Sequence, residues 1–154
     1  MPIILHRFVF GFLFVIGLVV VNANSSVAMG PDERDSDLVT WMEWINTGRI
    51  DEALVNLEQK AGMLPNDPEI LTVYAYGLRK SGDFDKAEIL YGQALDVDDD
   101  HLGALNYLGH LYVETGRVDE AKQILVRLDD ACFFGCKEED ELEAMIETGS
   151  SGKY

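Results

Sequence analysis

The sequence predicts an all-α fold in which pairs of helices repeat along the chain. Residues 48–53, 82–87 and 116–121 recur at one fixed interval, and each stretch begins with glycine and carries aspartate and alanine in the same register. A constant interval of this length is typical of helical repeat arrays. Between these stretches, apolar residues recur at the spacing of one buried helix face. Because such an array presents an extended surface, we expect a protein-binding function and no enzymatic activity.

The first 28 residues are predicted to be a secretory signal peptide or an N-terminal anchor. Residues 8–21 form an apolar run, which is shorter than the roughly 20 residues that span a bilayer. Arg7 precedes the run and Asp32 follows it, so the remainder is expected to cross the membrane into a periplasm or the exterior. Membrane contact is then expected only through this segment, if it is not cleaved. Residues 29–36 are polar and predict a flexible linker.

The repeated register has a physical reason at each position. Glycine can adopt the left-handed conformation that ends one helix and begins a turn. The aspartate then lies in the first turn of the next helix, where a negative charge suits the helix dipole. The alanine is small enough for two helices to cross closely. Asp67, followed by Pro68, predicts a further helix start with a cap and a first-turn proline.

These units resemble the tetratricopeptide repeat family. The residues that carry the resemblance are Trp41, Trp44, Gly48, Ala53, Leu57 and Pro65 in the first unit, Leu71, Ala75, Leu78, Gly82, Ala87, Tyr91 and Ala94 in the second, and Leu105, Gly109, Tyr112, Gly116, Ala121, Leu125 and Leu128 in the third. The resemblance implies a right-handed α–α superhelix of three helix pairs over residues 37–131. A cysteine loop and capping helix over residues 132–147 and a disordered tail over residues 148–154 complete the predicted organisation.

The first unit departs from the family pattern. Trp41 stands at a position for a small residue and Asp37 at one for a large apolar residue. We therefore expect an atypical first helix, shortened or tilted. We also expect a face of Trp41 and Trp44 that no preceding repeat covers, and such a face makes self-association a further expectation.

The resemblance places the binding groove on the first helix of each unit. The candidate groove residues are Thr72, Tyr76, Arg79, Lys80, Asn106, His110 and Val113. This mixed lining suits an extended peptide or a partner helix, although part of it could merely pack or face water. Some family members hold chaperone C-terminal carboxylates with a lysine–asparagine set, which this chain lacks at the related positions. That class of ligand is therefore disfavoured.

Cys132 and Cys136 are the two cysteines of the chain. In an exported chain the pair predicts a structural disulfide that fixes the capping helix to the third unit. A thiol–disulfide redox role is the alternative, because Cys136 precedes a predicted helix and a helix N-terminus favours the thiolate. The three intervening residues differ from the spacing of thioredoxin-type motifs, and no haem-attachment motif is present.

The net charge of −16 argues against nucleic acid, which requires clustered basic residues. We expect the acidity to keep the chain soluble through repulsion between like charges. The alternative is that the acidic surface binds a basic partner. The acidic residues before His101 lack the glycine and the twelfth-position glutamate of a calcium loop. They are therefore expected to form a solvated turn that caps the next helix. We expect no metal and no cofactor. The combined prediction is an adaptor or assembly factor for a protein or peptide partner in the cell envelope.

Overall fold

The computed structural model describes residues 33–149, which contain seven α-helices and no strand. The helices are α1 (Glu33–Asn46), α2 (Ile50–Met63), α3 (Pro68–Ser81), α4 (Phe84–Val97), α5 (Leu102–Glu114), α6 (Val118–Ala131) and α7 (Lys137–Thr148). They form three helix pairs followed by one further helix, which confirms the predicted all-α solenoid. The predicted signal or anchor segment and residues 150–154 of the predicted tail lie outside the described residues. Among the helices of residues 33–149, none is long and apolar enough to cross a membrane.

The first helix begins earlier than the sequence pattern indicates. Helix α1 begins at Glu33, so the last four residues of the predicted linker are helical. The helix has 14 residues, as many as α2, which contradicts the shortened alternative, whereas a tilt of the first helix stays a prediction. Trp41 is buried at 8% exposure, which removes its indole from the uncovered face that we expected.

The predicted turn glycines have the backbone conformation that their role requires. Gly48, Gly82 and Gly116 have φ angles of 89°, 89° and 78°, in the left-handed region that favours glycine. At the end of α3, the N–H of Asp83 donates to the carbonyl of Leu78 at 2.9 Å and so satisfies a terminal helix carbonyl. The alanines that follow each glycine are fully buried, as their role in helix crossing predicts.

Three helix starts among the described residues are capped by side chains from the preceding turn, and one of these caps is Asp83, which accepts from the Lys86 N–H at 3.4 Å. The side chain of Asp67 accepts a hydrogen bond from the Ile70 N–H at 3.1 Å, as predicted. Before α5, the cap is His101, whose Nδ1 accepts from the Ala104 N–H at 3.1 Å. The expected cap from the acidic turn is thus replaced by a histidine. Nε2 of His101 also lies 3.0 Å from Oε2 of Glu69, which ties this turn to α3.

The helices form two layers, and the contacts between them define a concave side. Each odd-numbered helix contacts the next odd-numbered helix, from α1 to α7, and each even-numbered helix packs against the odd-numbered helix that follows it. Within residues 33–149, the even-numbered helices do not pack against one another. When the helices of one layer lie closer to one another than the helices of the other layer, the array curves and the closer layer forms its concave side. We call the face formed by α1, α3, α5 and α7 the inner face.

Helix α7 completes the inner layer and covers the end of the core. Leu142 is fully buried against α5, where Gly109 leaves the space for it. A Cβ at Gly109 would lie 2.6 Å from Cδ1 and 3.1 Å from Cγ of Leu142. The small residue in α5 therefore permits the close packing of the final helix, as expected for a solenoid cap.

Candidate protein-binding face

Polar contacts join each neighbouring pair of helices along the inner face. Tyr76 in α3 donates its hydroxyl hydrogen to Oδ1 of Asn46 in α1 at 2.6 Å. The guanidinium of Arg79 donates to Oε1 of Glu114 in α5 at 2.6 Å. The amide of Asn106 in α5 donates to Oε2 of Glu141 in α7 at 2.9 Å. The inner helices are thus fixed to one another by side chains as well as by their core.

An aromatic and cationic cluster occupies the centre of this face. The rings of Tyr76 and Tyr107 lie with centroids 4.9 Å apart. The guanidinium carbon of Arg79 lies 5.2 Å from the Tyr76 ring centre and 5.9 Å from that of Tyr107, within cation–π range. The His110 ring meets Tyr107 edge to face at 6.3 Å. We call Tyr76, Arg79, Tyr107 and His110 the tyrosine cluster.

Burial controls the protonation of the tyrosine cluster. Burial and, second, the nearby charge of Arg79 lower the pKa of His110 to about 4, against a smaller opposing effect of Glu141. His110 is therefore neutral at neutral pH. Burial also raises the pKa of Tyr76 and of Tyr107, so both hydroxyls keep their protons. Burial opposes the charge of Arg79, but Tyr91 and Glu114 together raise its pKa, so the guanidinium stays charged.

The structure divides the seven predicted groove residues by exposure. Four of them are buried: Thr72, Arg79, Asn106 and His110 are 2%, 6%, 2% and 8% exposed. Tyr76 and Val113 are half-buried, and Lys80 is exposed. The four buried side chains shape the wall of the face, while the other three can touch a partner directly. That this face binds a partner stays a prediction.

The sequence pattern did not identify Tyr107 or Glu141 as members of this face. Tyr107 is half-buried and stands one repeat after Val73, which is a core residue at 2% exposure. The periodic pattern therefore assigns Tyr107 to the core. Its position three residues before His110, on the same side of α5, was the signal that could have placed it in the cluster.

The inner face continues into an apolar depression at its N-terminal end. A shallow depression of about 500 Å³ lies between α1 and α3, and its lining residues are Leu38, Val39, Met42, Glu69 and Val73. Met42, Tyr76 and His110 occupy the same register position on successive inner helices. The depression and the tyrosine cluster are thus equivalent positions of one repeating surface.

Cys132 and Cys136 form a disulfide between α6 and α7, as predicted, with Cα atoms 5.6 Å apart. Glu139 also offers an oxygen in this region, within 4.8 Å of both sulfur atoms. Because the sulfur atoms are bonded to each other, they are not thiolate ligands for a metal. A redox role of the pair stays a prediction.

The fold and this face define a class of protein, the helical repeat solenoid with an inner surface of side chains from alternate helices. The model of the family described as tetratricopeptide repeat matches residues 78–131, which contain most of the second and third helix pairs. Over these residues the chain is similar to the tetratricopeptide repeat family, whose members are typically non-catalytic protein-binding modules. A comparison with curated proteins finds no match in sequence.

Several solved structures share this fold. The chain is similar to a tetratricopeptide repeat protein from Parabacteroides merdae, with 19% identity and a TM-score of 0.62 over 79% of this chain and 47% of that one. The chain therefore spans about half the length of that protein. It is also similar to the type III secretion translocator chaperone SycD of Yersinia enterocolitica, with 13% identity and a TM-score of 0.64 over 79% of this chain and 92% of that one.

A third similar structure is the first TPR of Spaghetti bound to an HSP90 peptide, with 18% identity and a TM-score of 0.60 over 73% of this chain and 92% of that one. SycD has also been solved in complex with a peptide of the translocator YopD. At these identities the likeness is one of fold.

Proposed function

We propose that this protein is a non-catalytic adaptor or assembly factor that holds a segment of a partner protein along its inner face. The observation that carries the proposal is the tyrosine cluster. Two tyrosine rings in mutual contact are partly accessible there, and the buried guanidinium of Arg79 lies against them. Aromatic side chains in such settings contribute much of the binding energy of protein interfaces. Two proteins of the same fold, Spaghetti and SycD, bind peptides.

The lining of the inner face indicates the kind of segment it would accept. Tyr76, Tyr107 and Val113 offer aromatic and aliphatic surface, and the exposed Lys80 offers one positive charge at its edge. The depression beside Met42 extends the apolar part of the face toward α1. We therefore propose an extended or helical segment with apolar side chains at regular spacing.

We also propose that the protein works after export, in a periplasm or the exterior. Support comes from the apolar run of residues 8–21, which follows a basic residue and precedes acidic ones. The disulfide is a second support, since disulfides persist in oxidising compartments and are rare in reducing ones. A reporter fused to residue 154 and assayed for activity on each side of the membrane tests this proposal. A cytoplasmic reporter would contradict it.

Site-specific photo-crosslinking in intact cells tests the inner face. The full chain is produced with benzoylphenylalanine either at Lys80 on α3 or at Lys122 on the outer helix α6, where the lysine side chain is 59% exposed. We expect a discrete protein adduct at position 80 and none at position 122. Tyr76→Ser combined with Tyr107→Ser should remove the adduct, whereas the matched phenylalanine variants should keep it, because they retain the rings.

Two results would overturn the proposal. One is an equal yield of adducts at positions 80 and 122, which would show contact without preference for the inner face. The other is an adduct that persists in the serine variants while their circular dichroism matches that of the unmodified chain. If the serine variants lose helical signal, the phenylalanine variants still test the proposal, because they leave the packing nearly unchanged and should keep the adduct.

A further inference from the structure

Two phenylalanines project from the loop between α6 and α7 into solvent. Phe133 is 88% exposed and Phe134 is 95% exposed, the two highest values among the large apolar side chains of the described residues. Their rings contact each other edge to face, with centroids 5.1 Å apart. They contribute nothing to the core, although burial of such side chains is the main source of folding energy. The chain thus keeps its largest apolar side chains in this region away from its interior.

The backbone that carries the two rings is held at a fixed place. The disulfide between Cys132 and Cys136 closes the loop, and Cys132 itself is buried at 8% exposure. The Gly135 N–H donates to the carbonyl of Cys132 at 2.9 Å, and Gly135 has a φ of 79°. Helix α7 begins directly after Cys136. A side chain presented on a rigid loop loses less conformational entropy when it binds, so this arrangement is preorganised for contact.

The surroundings of the loop are strongly acidic. Residues 129–147 contain the acidic residues Asp129, Asp130, Glu138, Glu139, Asp140, Glu141, Glu143 and Glu147 and one basic residue, Lys137. That lysine forms an ion pair with Glu141 at 2.8 Å. The carboxylate of Glu139 lies within 4.8 Å of both sulfur atoms of the disulfide. Negative charge therefore lies on both sides of the phenylalanine pair along the chain, and close to its base.

We propose that the loop of residues 132–136 is a second docking point, separate from the inner face, which binds a basic amphipathic segment of a partner protein. The two rings would contact its apolar stripe, and the flanking carboxylates its lysine or arginine side chains. Charge repulsion disfavours two other candidate occupants of this loop, a second copy of the chain and a membrane surface. A second copy of this chain carries a net charge of −16, and an anionic membrane surface carries the same sign.

The size of the loop limits how tightly it can bind. Burying two phenylalanines removes roughly 300–500 Å² of surface, whereas a stable protein interface buries about 1,200–2,000 Å². The loop is therefore an anchor for a weak or transient contact, and a short peptide is a sufficient probe. Opposite charge would chiefly increase the rate of association and the salt dependence of binding.

The probe is a synthetic helical peptide of about four turns, with leucine on one face and lysine on the other. Its binding to the full chain is measured by fluorescence anisotropy at low and high salt. We expect Phe133→Ser combined with Phe134→Ser to weaken binding by about tenfold, the loss typical of an aromatic anchor. Val55→Ser combined with Val126→Ser removes two apolar side chains that are 68% and 62% exposed on outer helices, and should change binding less than about twofold.

Four outcomes would overturn the proposal. The first two are that the basic peptide does not bind, or that it binds the phenylalanine-to-serine variant as well as the unmodified chain. The third is that a peptide with glutamate in place of lysine binds as well as the basic peptide. The fourth is that the unmodified chain binds vesicles and the phenylalanine-to-serine variant does not. The vesicles are of phosphatidylcholine alone or with phosphatidylglycerol, and their capture would assign the loop to a membrane surface.

Cys132→Ser combined with Cys136→Ser provides a second variant, which retains the rings and should weaken binding of the basic peptide because the disulfide no longer holds the loop. The phenylalanine variant should leave the adduct at Lys80 unchanged, so the two proposals fail separately.

Discussion

The close packing of α7 against α5 predicts opposite effects for one substitution at two glycines. Gly109→Ala places a Cβ 2.6 Å from Cδ1 and 3.1 Å from Cγ of Leu142, with Cδ2 nearer still. Leu142 is fully buried and cannot move aside without displacing α7. Overpacking of this kind costs about 1–3 kcal/mol, and the three contacts place the cost in the upper part of that range. The gain in helix propensity offsets about 1 kcal/mol, so we expect a net loss of about 2 kcal/mol.

Gly92→Ala is the matched control because Gly92 also lies inside a helix. A Cβ there meets nothing within 4 Å among the described residues, so the free energy of unfolding should rise by up to about 1 kcal/mol. Urea unfolding followed by far-UV circular dichroism measures both variants. In a Leu142→Ala background the obstacle is absent, and Gly109→Ala should become neutral or stabilising. If Gly109→Ala destabilises that background as much as it destabilises the unmodified chain, the proposed contact is not its cause.

Three further predictions concern the charges and the disulfide. His110 has a pKa of about 4 in the folded chain against an ordinary 6.5, so the unfolded chain binds its proton first and the fold loses stability as the pH falls from 6.5 toward 4. Between pH 7 and pH 5 the unmodified chain should therefore lose about 2 kcal/mol more than a His110→Gln variant, and equal losses in the two would contradict the assignment. Glu114→Leu leaves the buried guanidinium of Arg79 unpaired and should cost about 3 kcal/mol, whereas Lys122→Ala, at an exposed pair, should cost less than about 0.5 kcal/mol by the same unfolding assay. Replacing both cysteines with serine should cost about 2 kcal/mol, and a reductant should lower the stability of the unmodified chain but not of that variant.

The periodic part of the structure could be predicted from the sequence because each position is decided locally. The turn at Gly82 needs a left-handed residue, and the crossing at Ala87 needs a small one. These demands recur once in every repeat, so they are visible in the sequence itself. The beginning of α1 at Glu33 was missed because a polar, acidic stretch is equally typical of a linker and of a first helical turn.

The composition of the inner face was harder to predict, because it depends on the reach of long side chains between helices. Arg79 occupies a predicted groove position, yet it is buried, with its guanidinium within cation–π range of Tyr76 and Tyr107 and paired with Glu114. Tyr107 occupies a position that the pattern assigns to the core, yet its ring is half-buried beside Tyr76. Periodicity assigns each residue to a side of its own helix. The burial of Arg79 and the partial exposure of Tyr107 depend instead on side chains of the neighbouring helix.

The inner face uses its polar groups to hold its own helices together, and this bears on how it would select a partner under the proposed function. The charge of Arg79 is neutralised by Glu114, and His110 is uncharged at neutral pH. Neither group is therefore placed to attract a terminal carboxylate from solution. Under the proposed function, recognition on this face would depend on the fit of apolar side chains to rings whose positions are already fixed, and a preorganised surface loses little entropy on binding. In the second proposal, the negative charge that flanks the disulfide loop would select a basic segment, so the two proposed sites would select partners by different means: apolar fit at the inner face and charge at the loop.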